Sequence, residues 1–265
     1  MVRLLLIILA LVPALAADAV AAAAGAGPGA LERDGSAVVA DILDGDTLVL
    51  EDGREVRLVG IQAPKLPLGR PNFPEWPLGR EAKATLVELA LGRRLTLSYG
   101  GRRADRHGRL LAHLHDQSGR WIQGEILARG MARVYSFSDN RALIREMLAI
   151  ERAARRARRG IWAHPFYRVI SHRETWRFLN TFQLVKGRVM RAAVVRGRGY
   201  LNFGDDWRTD FTISIAPKSV RLFRAAGIEL PTYEGRNVRV RGWLKSFNGP
   251  MIEVTHPEQI EVLGE

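Results

Sequence analysis

Two aspartates that flank a glycine, Asp44 and Asp46, are the first residues whose types and spacing suggest chemistry. They lie in the segment DGDT, where a strand is expected to bend, so both carboxylates can converge on one hard cation, which prefers oxygen ligands. Taken alone, the same four residues are typical of a turn. The segment therefore predicts either a structural turn or a metal-binding site.

Two arginines stand in apolar, strand-like surroundings further along the chain. Arg57 lies within VRLVGI, and Arg109 begins the segment RLLAHL. A guanidinium in such a place needs an acidic partner or binds a phosphate with two parallel hydrogen bonds. The alternative to a phosphate site is an ion pair with Asp44 or Asp105.

Short strands must position these side chains. The segments SAVVADIL, TLVLED and REVRLVGI predict a β-meander, and Asp52-Gly53 predicts a tight turn between its last two strands. A proline-rich surface loop follows, then a helix over Glu81–Leu91 that Gly92 ends. Two strands around ADRHGR, a short helix before Gly130 and a longer helix over residues 140–159 complete this region.

The bulk composition bounds the number of domains and the kind of partner. With 265 residues the chain is long enough for two modest domains. A formal net charge of +12 and a pI near 10.8 favour phosphate-rich partners, nucleic acid first and an anionic membrane surface second. The chain has no cysteine, so its cores form without disulfides.

The N-terminal segment is typical of an exported protein. Residues 1–16 combine Arg3, a short apolar core and an A-x-A pattern, which predicts a cleaved signal peptide, with an uncleaved anchor as the alternative. The expected location is the periplasm or the medium, with no stable membrane span after cleavage. Residues 17–35 are rich in Ala and Gly and predict a linker.

A second patterned region follows a connector over residues 164–180. Three strands, a helix and further strands over residues 181–265 are the order of a small barrel of the oligonucleotide-binding (OB) type. Tyr200, Phe203 and Trp207 lie among arginines there, so they could stack on bases. An aromatic core with basic edges explains the same pattern equally well.

The motifs of the first region occur in a recognisable order: DGDT, RLVGIQAP, G-x-EA, DRHGR, ARG-x-AxV and ER-x-AR-x6-GIW. Over about residues 37–163 this series resembles the thermonuclease family, whose founder is staphylococcal nuclease. The resemblance implies a mainly β fold with helices (α+β), in which a five-stranded OB-like barrel carries three helices over residues 36–163. It also implies a calcium-dependent phosphodiesterase that cuts DNA and RNA.

The resemblance assigns roles to individual residues. Asp46 matches a calcium-binding aspartate, to which Asp44 and the carbonyl of Ala63 could add ligands, and Arg57 and Arg109 match the arginines that clamp the scissile phosphate. Arg106, within DRHGR, is a further candidate contact to nucleic acid.

The chain also departs from the pattern of the family. Gln62 replaces a calcium-binding carboxylate, and Lys65 replaces the glutamate credited with activating water. The base-stacking tyrosines of the family fall on Ser136 and Ser138, with Tyr135 and Phe137 out of phase. Glu75 and Glu81 are nearby carboxylates that could act as replacements.

These departures lead to three functional expectations. The first is hydrolysis of DNA or RNA with a weakened or altered dependence on Ca²⁺, since loss of a general base typically costs about 10²- to 10⁴-fold in rate. The second is a non-catalytic protein that binds nucleic acid or phosphate through Arg57, Lys65 and Arg109 without calcium. The third is a scaffold that uses the barrel for protein contacts.

Overall fold

The computed structural model describes residues 31–264, which form two β units in succession. The predicted signal peptide and most of the predicted linker lie outside the described residues. No helix in the described part of the chain has the length and apolarity needed to cross a membrane.

The first unit is a closed five-stranded barrel with three α-helices. Its strand order is β1-β2-β3-β6-β5, in which β3 and β6 run parallel and the other neighbours run antiparallel. A short ladder of β4 with β7 lies beside the barrel. The elements are β1 (Glu32–Asp44), β2 (Thr47–Leu50), β3 (Glu55–Leu58), β4 (Ile61–Gln62), α1 (Gly79–Ala90), β5 (Arg94–Tyr99), β6 (Leu110–His115), α2 (Ile122–Ala128), β7 (Arg133–Val134) and α3 (Ile144–Arg156).

The core of this unit forms where the buried faces of the strands meet the apolar stripes of the helices. It includes Leu48 from β2, Leu58 from β3, Leu86 from α1 and Met147 from α3, none of which is exposed. Burying such side chains is the main favourable term in folding, at about 25 cal/mol for each Å² removed from water. The fold class and the thermonuclease-type barrel predicted from the sequence are confirmed.

The first strand begins earlier than its apolar pattern suggests. Glu32 and Arg33 pair with Tyr99 and Ser98 of β5, although the domain was expected to start at Ser36. Backbone hydrogen bonds extend the strand where its side chains face solvent, so this part of β1 has no buried pattern to reveal it.

The second unit repeats the strand order of the first. Its elements are β8 (Ile170–Ser171), β9 (Phe182–Arg188), β10 (Arg191–Val195), β11 (Arg198–Asn202), β12 (Thr212–Ile215), α4 (Pro217–Ala225), β13 (Asn237–Ser246), β14 (Pro250–Val254) and β15 (Ile260–Val262). The sheet order is β10-β11-β12-β14-β13-β9-β8, and β15 also pairs with β13.

This sheet curls back on itself because β9 and β10 are successive parts of one chain path. Only Val189 and Met190 separate them, and the amides of these residues bond to the carbonyls of Arg236 and Asn202. The ladder of β12 with β14 is parallel, as is that of β3 with β6. Both units thus follow the OB-like order predicted for them.

A buried ion pair joins the two units. Arg241 on β13 has a side chain only 1% exposed, and its two terminal nitrogens lie 2.9 and 3.0 Å from the carboxylate oxygens of Glu151 on α3. It also bonds to Glu261 at 2.6 Å and to the carbonyl of Val134 at 3.2 Å. Burial acts to raise the pKa of Glu151, but Arg241 and then Arg155 outweigh it and lower that pKa.

We expect Arg241→Met to lower the free energy of unfolding by roughly 3–5 kcal/mol, because Glu151 and Glu261 would lose a buried partner. Urea denaturation followed by the fluorescence of the six tryptophans measures the change. Arg54→Met, which removes an exposed pair with Asp52, is the matched control and is expected to leave the free energy of unfolding nearly unchanged. Equal losses in the two variants would contradict the stabilising role of the buried pair.

Candidate functional site

A cleft of about 640 Å³ opens between the segment after β3, the turn before β6 and the segment after β7. Its lining carries more positive than negative charge. The positively charged side chains in this lining are Arg57, Lys65, Arg70, Arg102, Arg106 and Arg109, and the negatively charged ones are Asp44, Asp105 and Asp139.

Asp46 lies beneath this lining and is completely removed from solvent. Its carboxylate accepts hydrogen bonds from the backbone N–H of Ala63 at 2.7 Å and from the hydroxyl of Thr47 at 3.1 Å, and it forms an ion pair with Arg57. A carboxylate without these partners would be strongly destabilised in such a place. The local fold is therefore built to hold a negative charge here.

Gly45 lets the chain bring the two aspartates to this position. A Cβ atom at residue 45 would lie 2.7 Å from the Cβ atoms of both Ala63 and Ala82. Only glycine permits this close approach of the β1–β2 turn to α1 and to the segment after β4. The glycine of DGDT thus has a packing role in placing Asp44 and Asp46.

The ammonium group of Lys65 bridges the two aspartates. Its Nζ lies 3.0 Å from Oδ2 of Asp44 and 2.7 and 2.8 Å from the two carboxylate oxygens of Asp46. The lysine side chain is 18% exposed, whereas the aspartate side chains are 5% and 0% exposed. Lys65 therefore neutralises carboxylates of its own chain.

The pKa values of the two aspartates move in opposite directions. Burial acts to raise the pKa of Asp46, but the charges of Arg57 and Lys65 together hold it well below the usual range. Burial and the neighbouring Asp46 raise the pKa of Asp44, which Lys65 offsets only in part. Asp46 consequently carries the more firmly held negative charge, and its charge depends on both cations.

The residues present do not fit the calcium ion that the resemblance implies. Calcium requires several oxygen ligands, and the two available carboxylates already bind Lys65. The side-chain oxygen of Gln62 accepts two hydrogen bonds from Arg133, at 3.0 and 2.7 Å. Within residues 31–264, three or more His, Cys, Asp or Glu side chains nowhere gather as a metal-binding group.

Arg57 and Arg109 both line the cleft, and both have an acidic partner. Arg57 pairs with Asp46 and donates to the carbonyl of Ile61 at 2.9 Å. Arg109 donates to one oxygen of Asp105 through Nε at 2.9 Å and through a terminal nitrogen at 2.7 Å. Their side chains are 13% and 31% exposed, so each presents part of its guanidinium to the cleft.

Three exposed arginines of the lining differ from these, because none forms an ion pair with a carboxylate in the described residues. Arg70 donates to the carbonyls of Leu66 and Pro67 at 2.7 and 3.0 Å and lies 3.8 Å from the ring centre of Phe73. The other two are Arg102 and Arg106. Sequence reasoning identified Arg106 only; the basic run before DRHGR was a signal for Arg102.

Aromatic side chains reach the cleft in a phase that the motif alignment did not predict. Tyr135 and Phe137 line it. Ser136, which falls on a tyrosine position of the family, instead lies 2.8 Å from Nε2 of His256 in the second unit. The phase follows from alternation along an extended segment: Tyr135 and Phe137 lie on the side that lines the cleft, and Ser136 lies on the other side, against His256.

The other candidate residues lie away from the cleft. Phe203 is 3% exposed and packs on Phe211 with ring centres 4.9 Å apart, so the proposal that it stacks on bases is corrected to a core position. Tyr200 is half-buried on β11, and Trp207 is 49% exposed in the loop before β12. Glu75 lies 3.2 Å from Arg80, outside the cleft lining.

The barrel with three helices and an arginine-lined cleft defines an α+β protein of the OB-like class. Residues 55–164 match the family described as Staphylococcal nuclease homologue, and this chain belongs to that family. The match ends before the second unit begins.

Three relatives show how much of this chain, and how much of each relative, the similarity covers. Thermonuclease of Staphylococcus hyicus is 28% identical over 130 residues, which are 48% of this chain and 75% of the relative. Protein ParB of Escherichia coli is 33% identical over 167 residues, 57% of this chain and 84% of the relative. Endonuclease YhcR of Bacillus subtilis (strain 168) is 27% identical over 145 residues, 51% of this chain but only 12% of that protein.

We expect Lys65→Met to lower the free energy of unfolding by about 3 kcal/mol or more near neutral pH, because Asp44 and Asp46 would lose a shared cation. The low pKa of Asp46 contributes stability above the pKa of an unfolded aspartate, and this stability disappears as the pH falls toward the folded value. Removing Lys65 weakens that contribution, so the deficit shrinks as the pH falls below the aspartate range.

Urea denaturation at several pH values measures this deficit, and Lys218→Met is the matched control because Lys218 is exposed on α4. A deficit in Lys65→Met that is equal at neutral and acidic pH would contradict an ionic role for the lysine.

Proposed function

We propose that this chain binds nucleic acid by its phosphates in the cleft and does so without calcium. The observation that supports this function is the cleft itself: Lys65 neutralises the carboxylates of Asp44 and Asp46, while three exposed arginines form no ion pair with a carboxylate within residues 31–264. A phosphodiester offers the negative charge and the paired acceptor oxygens that guanidinium groups bind best.

Each group of cations has its own part in this function. Arg70, Arg102 and Arg106 attract the backbone and hold successive phosphates from the rim. Arg109 meets the ligand deeper in the cleft, where a phosphate competes with Asp105 for the same guanidinium. Arg57 keeps its partner Asp46 and contributes the exposed edge of its side chain. Lys65 serves chiefly to neutralise the aspartates.

Metal-dependent hydrolysis is disfavoured by the same geometry. Asp44 and Asp46 are held by Lys65, and Asp105 is held by Arg109. The resemblance to the family also places Lys65 where the water-activating glutamate is expected. Loss of a general base alone typically costs about 10²- to 10⁴-fold in rate. The retained arginines therefore serve binding better than catalysis.

Phosphodiester hydrolysis by another route is the second candidate function. It is favoured by the similarity to two relatives, a thermonuclease and an endonuclease, and by one feature of the cleft. Asp139 lines the cleft, is exposed and forms no ion pair within residues 31–264. Its carboxylate is the available candidate for a general base beside the arginines.

We expect the chain to bind a fluorescently labelled single-stranded oligonucleotide in the presence of chelator. Arg102→Ala combined with Arg106→Ala should weaken binding by roughly tenfold, because two charge-assisted contacts are lost. The magnitude of the slope of log affinity against log salt should fall by about 1.4, since each phosphate contact to a single strand contributes about 0.7. Fluorescence anisotropy at several salt concentrations measures both, and Arg221→Ala on exposed α4 is the control.

The same oligonucleotide separates the two functions when cleavage is followed on a gel with calcium and with chelator. Intact oligonucleotide under both conditions, with binding retained, agrees with the proposed function. Cutting that Asp139→Asn abolishes would establish hydrolysis instead. Binding that requires calcium, or an equal loss in Arg221→Ala, would contradict the assignment of the cleft.

We expect Ca²⁺ to leave the melting temperature of the wild-type chain unchanged and to raise that of the double variant Gln62→Asp, Lys65→Glu. The variant removes the ammonium group of Lys65 and adds two carboxylates, and calcium affinity depends on the number of carboxylate ligands. A ligand at 100 times its Kd stabilises the folded state by about 2.7 kcal/mol. Thermal melts with calcium and with chelator measure the shift, and Lys65→Met is the control without added carboxylates.

An equal calcium shift in wild type would show that Lys65 does not exclude the metal. A folded double variant without a shift would show that residues 62 and 65 do not face the aspartates as a ligand set.

A further inference from the structure

A continuous group of aromatic side chains leads from the cleft to the second unit. The ring centres of Phe137 and Tyr135 are 5.0 Å apart, and those of Tyr135 and Phe182 are 4.8 Å apart. Trp243 lies directly opposite Phe182 on the neighbouring strand, with ring centres 6.5 Å apart. These four residues are called the aromatic path below.

Both ends of the aromatic path are open to solvent. Phe137 is 51% exposed and Trp243 is 46% exposed, whereas Phe182 is 6% exposed and packs against Tyr135 and Trp243. The indole N–H of Trp243 donates to the hydroxyl of Tyr135 at 3.0 Å, which orients both rings. Single exposed aromatics are common on protein surfaces, but a connected set that begins in a binding cleft indicates an extended contact surface.

The junction between the two units makes this surface rigid. Trp243 and Arg241 point to the same side of β13 because side chains alternate along a strand. Arg241 is held by Glu151 of the first unit, so β13 is fixed against the barrel that carries the cleft. Lys245, two residues beyond Trp243 on the same side, has a side chain 60% exposed and lies 3.9 Å from the carboxylate of Glu253 on β14.

We propose that a single-stranded nucleic acid held by its phosphates in the cleft continues along the aromatic path onto the second unit, with bases stacked on Phe137 and Trp243. This inference rests on the proposed function and extends it to a substrate class, single strands long enough to span both units. Unpaired bases can lie flat on aromatic rings, whereas the bases of a duplex are already stacked on one another. The second unit lies outside the region matched by the family, so Trp243 is an addition to the family's barrel.

The test compares a short and a long single strand, of about 4 and about 12 nucleotides, a range that matches known site sizes of one OB-like barrel. Binding is measured by fluorescence anisotropy with chelator at fixed salt. The wild-type chain should bind the long strand more tightly than the short strand, and by a larger factor than Trp243→Ala does. Trp243→Ala should weaken binding of the long strand by about 5- to 150-fold, the range expected for loss of one stacked base, and leave the short strand unchanged.

Two further variants make the result specific. Trp243→Phe keeps a ring for stacking and should recover most of the affinity, which separates stacking from loss of the hydrogen bond to Tyr135. Trp176→Ala removes another exposed tryptophan, whose indole N–H bonds to the carbonyl of Thr209 and not to the aromatic path, and should change affinity by less than about twofold.

The outcomes distinguish failure of the path from failure of the proposed function. If the short strand binds and Arg102→Ala with Arg106→Ala weakens it, while Trp243→Ala leaves the long strand unaffected, the cleft stands and the path is overturned. Equal losses in Trp176→Ala and Trp243→Ala, or tighter binding of a duplex than of the long single strand, also overturn the path. Absence of binding to either strand overturns both proposals.

Discussion

A fully buried carboxylate, that of Asp46, is the constraint on which the rest of the site depends. A negative charge removed from water is tolerated only when hydrogen bonds and opposite charges replace the lost hydration. The amide of Ala63, the guanidinium of Arg57 and the ammonium of Lys65 supply that replacement. Because these partners come from β3 and from the segment after β4, the charge of Asp46 also fixes the β1–β2 turn relative to both.

Much of the fold could be predicted from the sequence, because alternation in the strands, apolar spacing in the helices and the order of motifs agree with one another. The side-chain partners could not, since they depend on three-dimensional distances. Charge alone placed Lys65 near a phosphate, but its flexible ammonium lies closer to two aspartates of its own chain. Phe203 was equally ambiguous, because a buried and an exposed aromatic look alike in an alternating segment.

The phase of the segment around Tyr135 illustrates a second limit of motif alignment. An alignment to a single barrel assumes that the barrel's outer face meets solvent. Here a second unit covers part of that face, and Ser136 contacts His256 while its neighbours Tyr135 and Phe137 turn to the cleft. A shift of one residue in an extended segment exchanges its two faces. The contact of Ser136 with His256 therefore helps to decide which side chains line the cleft.

The distribution of charge around the cleft connects these observations. Arg57 and Arg109 have acidic partners, and Lys65 is balanced by two carboxylates, so the floor of the cleft contributes little net field. Arg70, Arg102 and Arg106 leave positive charge at the exposed rim. A flexible, extended anion would contact these arginines before it entered the cleft. The rim of the cleft therefore attracts anions, whereas the charges of its floor neutralise one another. This arrangement favours binding of a ligand that passes across the cleft. It does not favour activation of a phosphate within the cleft. The exposed rings that continue from Phe137 onto the second unit have the chemistry to receive the bases of that ligand.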